Sequence, residues 1–282
     1  IAYNAERQHA IQCHSCGGTN DQVDFTADEI LCQHCGVSLE RAPTELSCPS
    51  CSAHLEVFGS ESKSINCSYC YSSISLEGEP TVIAKLKGKL LENRQKLKIP
   101  IALGSKATFD ELKFQLVGFI RTVEDTYYFT YDYLFYNQQW GYRWLSCYDG
   151  HFTLQEKMDK PPMIDAKRMQ SMRYKQSLRQ LNTSWQYYEG GDLLIDWVEG
   201  ELPWVAQVGD GSTYHDFIAP PQLLSCEITS KEVEWQLYRS IEHAELAKAM
   251  GIKISDLPRG RGVGVCQVNT KASSQIANGS LA

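Results

Sequence analysis

A chain of 282 residues, 43% of them apolar, with a formal net charge of −7, is long enough for two or three domains and at least one sizeable core. The acidity excludes a nucleic-acid grip as the main function, because phosphate contacts need a basic surface. No apolar run reaches the ~18 residues of a membrane-spanning helix, and no signal peptide opens the chain. It begins with Ile1 rather than Met, which reads as a fragment or processed form whose membrane segment, if one exists, lies outside it.

Eight of the eleven cysteines form four Cys-x-x-Cys pairs: Cys13/Cys16, Cys32/Cys35, Cys48/Cys51 and Cys67/Cys70. Each half reads C-x2-C-x15-C-x2-C, and the second half repeats the first 35 residues later. A repeat that keeps all four positions in register is the pattern of tandem zinc ribbons. Two residues between cysteines let the chain turn so that both sulfurs reach one ion. Gly17, Gly36 and Ser52, each just after a pair, suit that turn. Four thiolates would close each tetrahedral shell, so two structural Zn2+ ions are expected. A module of this size folds only with its metal.

Three alternatives stand beside this reading. His14 or His34 could replace a thiolate, the pairs could be cross-braced, and iron–sulfur binding uses the same ligands. The 35-residue period favours sequential ribbons, 1–40 and 41–80. Cys147, Cys226 and Cys266 read as small buried hydrophobes. Residues 1–80 hold eleven Asp and Glu against Arg7, Arg41 and Lys63. The ribbons are therefore expected to meet a protein partner or to give structural support, not to bind nucleic acid.

Residues 81–100 change character. Lys85, Lys87, Lys89, Arg94, Lys96 and Lys98 surround Ile83, Leu86, Leu90 and Leu97, whose spacing predicts a basic amphipathic helix ended by Pro100. The plain reading is a connector. Contact with an anionic membrane surface is the other.

From 101 to 257 the pattern predicts strands. The segments 113–123, 126–137 and 140–154 read as a three-stranded meander, broken at Gly118 and turning at Asp149–Gly150. Residues 184–204 read as two strands around a Gly190–Gly191 turn, ending in a corner through Pro203 and Trp204. Strands at 217–229 and 232–241 follow, then a short helix, 243–251, stopped by Gly251. The remainder, 258–282, reads as an irregular tail. The fold class is mainly β: two small zinc ribbons, then a β-rich barrel or sandwich of two similar halves with short helices.

The segment YDYLFYNQQWGYRWLSCYDGHFTL (131–154), the corner Gly200, Glu201, Pro203, Trp204, and the stretch Pro220, Pro221, Leu224, Ser225, Glu227 together resemble the domain-of-unknown-function family 4178 over about 105–245. The resemblance implies a layout of ribbons followed by this domain, with transmembrane helices following in some longer members. It also implies a membrane-associated or stress-related setting, and it brings no catalytic residues.

No nucleophile elbow or phosphate loop accompanies the scattered acids and bases, which are Asp132, Asp149, His151, Asp196, Glu199, Glu201, Asp210, His215, Asp216 and Glu227. RGRGVG (259–264) lacks the Lys-Ser/Thr ending and reads as tail. Tyr214, His215 and Asp216 read as a surface loop. Trp144 and Trp204 read as packing. A ligand groove, if formed, would be lined by Trp140, Tyr142, Arg143, Trp144, Glu199, Glu201 and Trp204.

The functional expectation is a non-enzymatic zinc-binding adaptor or scaffold, cytoplasmic and at the inner face of a membrane, with a protein partner. The alternative is a sensor of, or enzyme for, a small molecule such as a polyamine. Cation–π contacts and carboxylates in the β-domain would suit that cation.

Overall fold

The computed structural model describes residues 11–13, 15–21, 23, 30–39, 43–85, 99–164 and 166–268. Its centre is a closed, antiparallel eight-stranded barrel. Four strands form one meander: β9 (Leu112–Glu124), β10 (Tyr128–Asn137), β11 (Gly141–Tyr148) and β12 (His151–Glu156). Four more form a second: β14 (Thr183–Leu202), β15 (Gly211–Ala219), β16 (Gln222–Ile228) and β17 (Val233–Ile241). The two halves join where β12 pairs with β17 and where β14 pairs with β9. Closure leaves none of these eight strands as a barrel edge.

Strand alternation sorts the side chains into three apolar layers. Inside the barrel lie Ile120, Leu134, Trp144, Val198, Ile218, Leu223 and Tyr238, contributed from both halves. Outside the first meander, Phe114, Phe119, Tyr133, Phe135, Leu145 and Phe152 pack under β8 (Lys106–Phe109) and helix α2 (His243–Met250). Outside the second, Trp185, Phe217 and Leu224 pack with Leu178 of β13 (Ser177–Gln180) and with Met172, just after helix α1 (Ala166–Ser171). A barrel buried on both faces explains why these strands are apolar beyond a simple alternation.

The N-terminal modules supply the remaining strands: β1 (Ile11–Gln12) and β2 (Thr19–Asn20) in the first, then β3 (Thr44–Ser47), β4 (His54–Val57), β5 (Ser64–Asn66) and β6 (Ser72–Ser75) in the second. A further strand, β7 (Thr81–Lys85), pairs with β6. Residues 82–85, expected to open the basic helix, instead complete the second module's sheet. The rest of that helix, 86–98, lies outside the described residues, as do 1–10 and 269–282.

Three further expectations change. The first meander has four strands, because Asp149 and Gly150 form the turn within 140–154 and divide it. Gly190 and Gly191 make no turn; they sit inside the 20-residue strand β14. There they are needed for space. A Cβ on Gly191 would run into the Glu124 carboxylate, and one on Gly190 would run into the Tyr187 hydroxyl. The tail is irregular through residue 268 but packed: Val265 and Cys266 enter the interior layer, and Gly260 and Gly264 lie against the His151 ring.

The tightest joint is between β9 and β14. Gly118 pairs with Gly200, and a Cβ on Gly118 would run into the Glu201 carbonyl oxygen. Replacing Gly118 with Ala should push the two halves apart and cost about 1–3 kcal/mol, as overpacking does. A Cβ on Gly211 would meet mainly the flexible Leu194 side chain at 3.2 Å. Thermal melting of Gly118→Ala and Gly211→Ala should therefore show a large drop only for the first; equal drops would contradict the joint.

Candidate metal centres and an acidic barrel interior

Local chemistry builds all four cysteine knuckles the same way. The residue after each second cysteine turns left-handed: Gly17 (φ 72), Gly36 (φ 71), Ser52 (φ 60) and Tyr71 (φ 55). Its amide donates to the carbonyl of the first cysteine, at 2.8–2.9 Å in every case. Glycine makes this conformation cheap; at Tyr71 the sequence gives no such signal. Backbone amides also approach the sulfurs: Ser15 donates to Cys13, Gly18 to Cys16 and Ser50 to Cys48, each at 3.4 Å.

Cys13, Cys16, Cys32 and Cys35 converge at one site, and Cys48, Cys51, Cys67 and Cys70 at another. The modules are thus sequential, not cross-braced. The S···S separations are 3.7 Å for Cys13–Cys35, Cys16–Cys32 and Cys48–Cys70, and 3.8 Å for Cys51–Cys67. A tetrahedron with Zn–S bonds of about 2.3 Å has edges of about 3.8 Å, so both tetrads could hold a metal ion and fit zinc. His34 takes no ligand role; its Nε2 lies 2.8 Å from the Thr19 carbonyl oxygen. His14 lies outside the described residues.

The two modules relate differently to the barrel. In the second, β5 pairs with Gly200–Leu202 at the end of β14 and so extends the barrel sheet. Glu201, 1% exposed, fastens this joint. Its carboxylate accepts from the Phe58 amide at 2.9 Å, the Gly59 amide at 3.1 Å and the Ser62 hydroxyl at 2.5 Å. Burial raises the Glu201 pKa, and these donors oppose the rise. Phe58 packs on the interior layer, and Ser64 donates to the Trp204 carbonyl at 2.6 Å. The first module has its own small core of Cys13, Cys32 and Leu39. Among the described residues its strands pair only with each other.

The seven groove candidates do not form one groove. Tyr142, Trp144 and Trp204 join the interior layer, with the Trp144 and Trp204 rings 5.9 Å apart, and Glu201 anchors the second module. Trp140 and Arg143 lie on the outer face. There the Arg143 guanidinium, 1% exposed, stacks 4.4 Å from Trp140, pairs with Asp110 at 2.7 Å and donates to the Gln155 carbonyl. Glu199 accepts from the Trp197 indole at 3.1 Å. Adjacent strand positions point to opposite faces, and that rule separates these neighbours.

The same rule gathers acids that the sequence scatters. Asp132 on β10, Asp216 on β15 and Glu227 on β16 share the parity of the interior residues Leu134, Ile218 and Leu223. Each is only half-buried. Glu124, in the space left by Gly191, accepts from the Tyr214 hydroxyl at 3.1 Å. The neighbouring His215 points outward, with Nδ1 3.2 Å from the Tyr187 hydroxyl. Glu189 and Glu234 are exposed but lie near enough to act on this group, Glu189 beside Asp216 and Glu124, and Glu234 beside Glu227.

Burial pushes the Asp132 carboxyl up to about 6, against a hydrogen bond from Ser146. Burial lifts Asp216 to about 7, aided by Glu124 and opposed by Ser225. It lifts Glu227 to about 7, with Asp132, Glu234 and Asp216 adding repulsion. Glu189 reaches about 7 through burial, Asp216 and Glu124.

Residues 102–243 match the family described as Domain of unknown function (DUF4178). No curated protein and no solved structure matches the chain. Among the described residues, no helix is long and apolar enough to cross a membrane.

These acids fix a pH response. Their folded pKa values lie above the unfolded ones, so folding binds protons between about pH 4 and 7. Their contribution to stability is present below the unfolded values and is lost as pH rises through about 7. An Asp216→Asn, Glu227→Gln double variant should be more stable than the parent at pH 8, with a flatter profile over that window. A chemical-denaturation series across pH reads this out; an unchanged profile would contradict it.

Proposed function

We propose that the chain, which belongs to the DUF4178 family, is a non-enzymatic adaptor whose two zinc ions hold docking and anchoring modules against a ligand-binding barrel. The observation that carries this reading is the asymmetry of the two ribbons. The second is joined to the barrel by β5–β14 pairing and by Glu201, while the first keeps its own core. A module joined to its scaffold serves as a fixed base. One with a separate core is suited to meeting another protein.

Zinc is the ion assigned, because four thiolates at tetrahedral spacing fill its shell and leave no place for substrate water. The metal therefore acts through folding. The acids of residues 1–80, added to two thiolate-rich centres, favour a basic protein surface as the partner and disfavour nucleic acid. The reducing setting that free thiolates need is the cytoplasm, and the basic segment 86–98 would hold the protein near an anionic membrane face.

Metal analysis of the purified protein should find two zinc equivalents. Cys13→Ser and Cys48→Ser should each lose one of them. Cys48→Ser should also lower the barrel melting temperature, by about 5 °C or more, whereas Cys13→Ser should leave it unchanged and abolish partner capture. Equal melting shifts, or capture that survives Cys13→Ser, would overturn the division of labour.

A further inference from the structure

Beside the β9–β10 and β11–β12 turns, the barrel and the segment 258–261 enclose a cleft of about 580 Å³. That volume falls in the range of small-molecule sites. One wall is aromatic, formed by Tyr127, Tyr128, Phe129, Tyr131, Tyr133 and Tyr148. Three of these rings are open to solvent, Tyr127 at 62%, Tyr128 at 46% and Tyr148 at 39% exposed. The Tyr127 and Tyr128 rings lie 4.5 Å apart. The turn before them is tight, with Asp125 (φ 49) and Thr126 (φ 71) both left-handed, a conformation that a β-branched residue seldom adopts.

The opposite wall is cationic. Arg259 and Arg261 line the same cleft against one carboxylate, Asp149. Both belong to the RGRGVG run, whose segment has no regular secondary structure yet is fastened to the barrel. His243 Nε2 lies 2.8 Å from the Pro258 carbonyl oxygen, and His151 Nε2 lies 2.8 Å from that of Arg261. The Arg261 amide donates to the Asp149 carbonyl at 3.0 Å, and a Cβ on Gly150 would run into the Arg259 carbonyl. The backbone is fixed while the guanidiniums remain open to a ligand. The Arg261 side chain is 86% exposed and its Asp149 contact is long, at 3.8 Å. Arg259 forms no ion pair among the described residues.

Tyr133 adds a third feature. It lines the cleft, is 0% exposed, and its hydroxyl has no hydrogen-bond partner among the described residues. Buried hydroxyls are nearly always paired, so this one suits a polar atom of a bound molecule.

The two walls select different ends of a ligand. Open tyrosine rings take a planar ring by stacking. A pair of guanidiniums takes phosphate, because forked donors match its oxygens. Charge sets the direction: burial, then Glu189 and Glu124, raise the Tyr148 pKa, so acids lie at the tyrosine end and an anion is steered to the arginines.

We propose that this cleft binds a mononucleotide, with its base against Tyr127, Tyr128 and Tyr148 and its phosphate on Arg259 and Arg261. The chain's overall acidity disfavours a polynucleotide, whereas one phosphate needs only this local pair of cations. The site is distinct from both metal centres and does not depend on the adaptor reading.

Calorimetric titration of the full, zinc-loaded chain with AMP, GMP, CMP and UMP, with their nucleosides and with inorganic phosphate, tests this. At least one nucleotide should bind, and at least about tenfold more tightly than its nucleoside or phosphate alone, since a hydrogen bond to a charged group contributes about that factor. The Arg259→Gln, Arg261→Gln double variant should lose that advantage over the nucleoside. The Tyr127→Ala, Tyr128→Ala double variant should weaken the nucleotide at least about tenfold through lost stacking. Tyr133→Phe should weaken binding without lowering the melting temperature, because the hydroxyl it removes is unpaired in the free protein. Lys231→Gln, exposed in the β16–β17 turn, should change nothing. The arginines, Tyr127 and Tyr128 are exposed, so these variants fold, and circular dichroism verifies that. Failure of all four nucleotides to bind, affinity no better than the nucleoside or phosphate, or full affinity in either double variant would each overturn the proposal.

Discussion

The contact on which the rest of the structure depends is the one at Gly200. This residue pairs with Gly118 of β9 on one side and with Asn66 of β5 on the other. Its φ of +67 and the nearness of the Val117 carbonyl leave no room for a side chain. At one point, therefore, the barrel closes and the second cysteine module attaches. The next residue, Glu201, turns that meeting into a joint, because a carboxylate excluded from water holds its backbone donors firmly.

Closure has a consequence for electrostatics. Once eight strands ring a chamber, every second side chain faces it, and acids on different strands are forced to share one low-dielectric space. The pKa values of Asp132, Asp216 and Glu227 rise because burial disfavours their charged forms, and neighbouring acids add to the rise at Asp216 and Glu227. The barrel thus keeps an unfavourable interior where an apolar one would be more stable.

Much of this was legible in the sequence. The C-x2-C-x15-C-x2-C repeat placed all eight thiols in two correct groups, and Gly17, Gly36 and Ser52 marked three of the four knuckle turns. Tyr and Phe alternation marked the strands, and Gly251 ended its helix in the left-handed conformation. What local pattern could not supply was strand pairing across the chain. Gly190 and Gly191 look like a turn until Glu124, far away in sequence, is found to occupy their missing side-chain volume. The grouping of Trp140 and Arg143 with Glu201 failed for the same reason, since neighbours in sequence alternate between faces. Asp132, Asp216 and Glu227 were visible as separate acids. Only the ring of strands brings them to one interior face.

The joint ties metal to barrel, and amide hydrogen exchange measures that tie directly. Zinc-loaded protein should protect Glu199–Leu202 of β14 and the facing Gly118–Phe119 of β9. Chelation should remove that protection while leaving β11 and β12 slow to exchange. Protection at Glu199–Leu202 that survives complete metal removal would contradict the account.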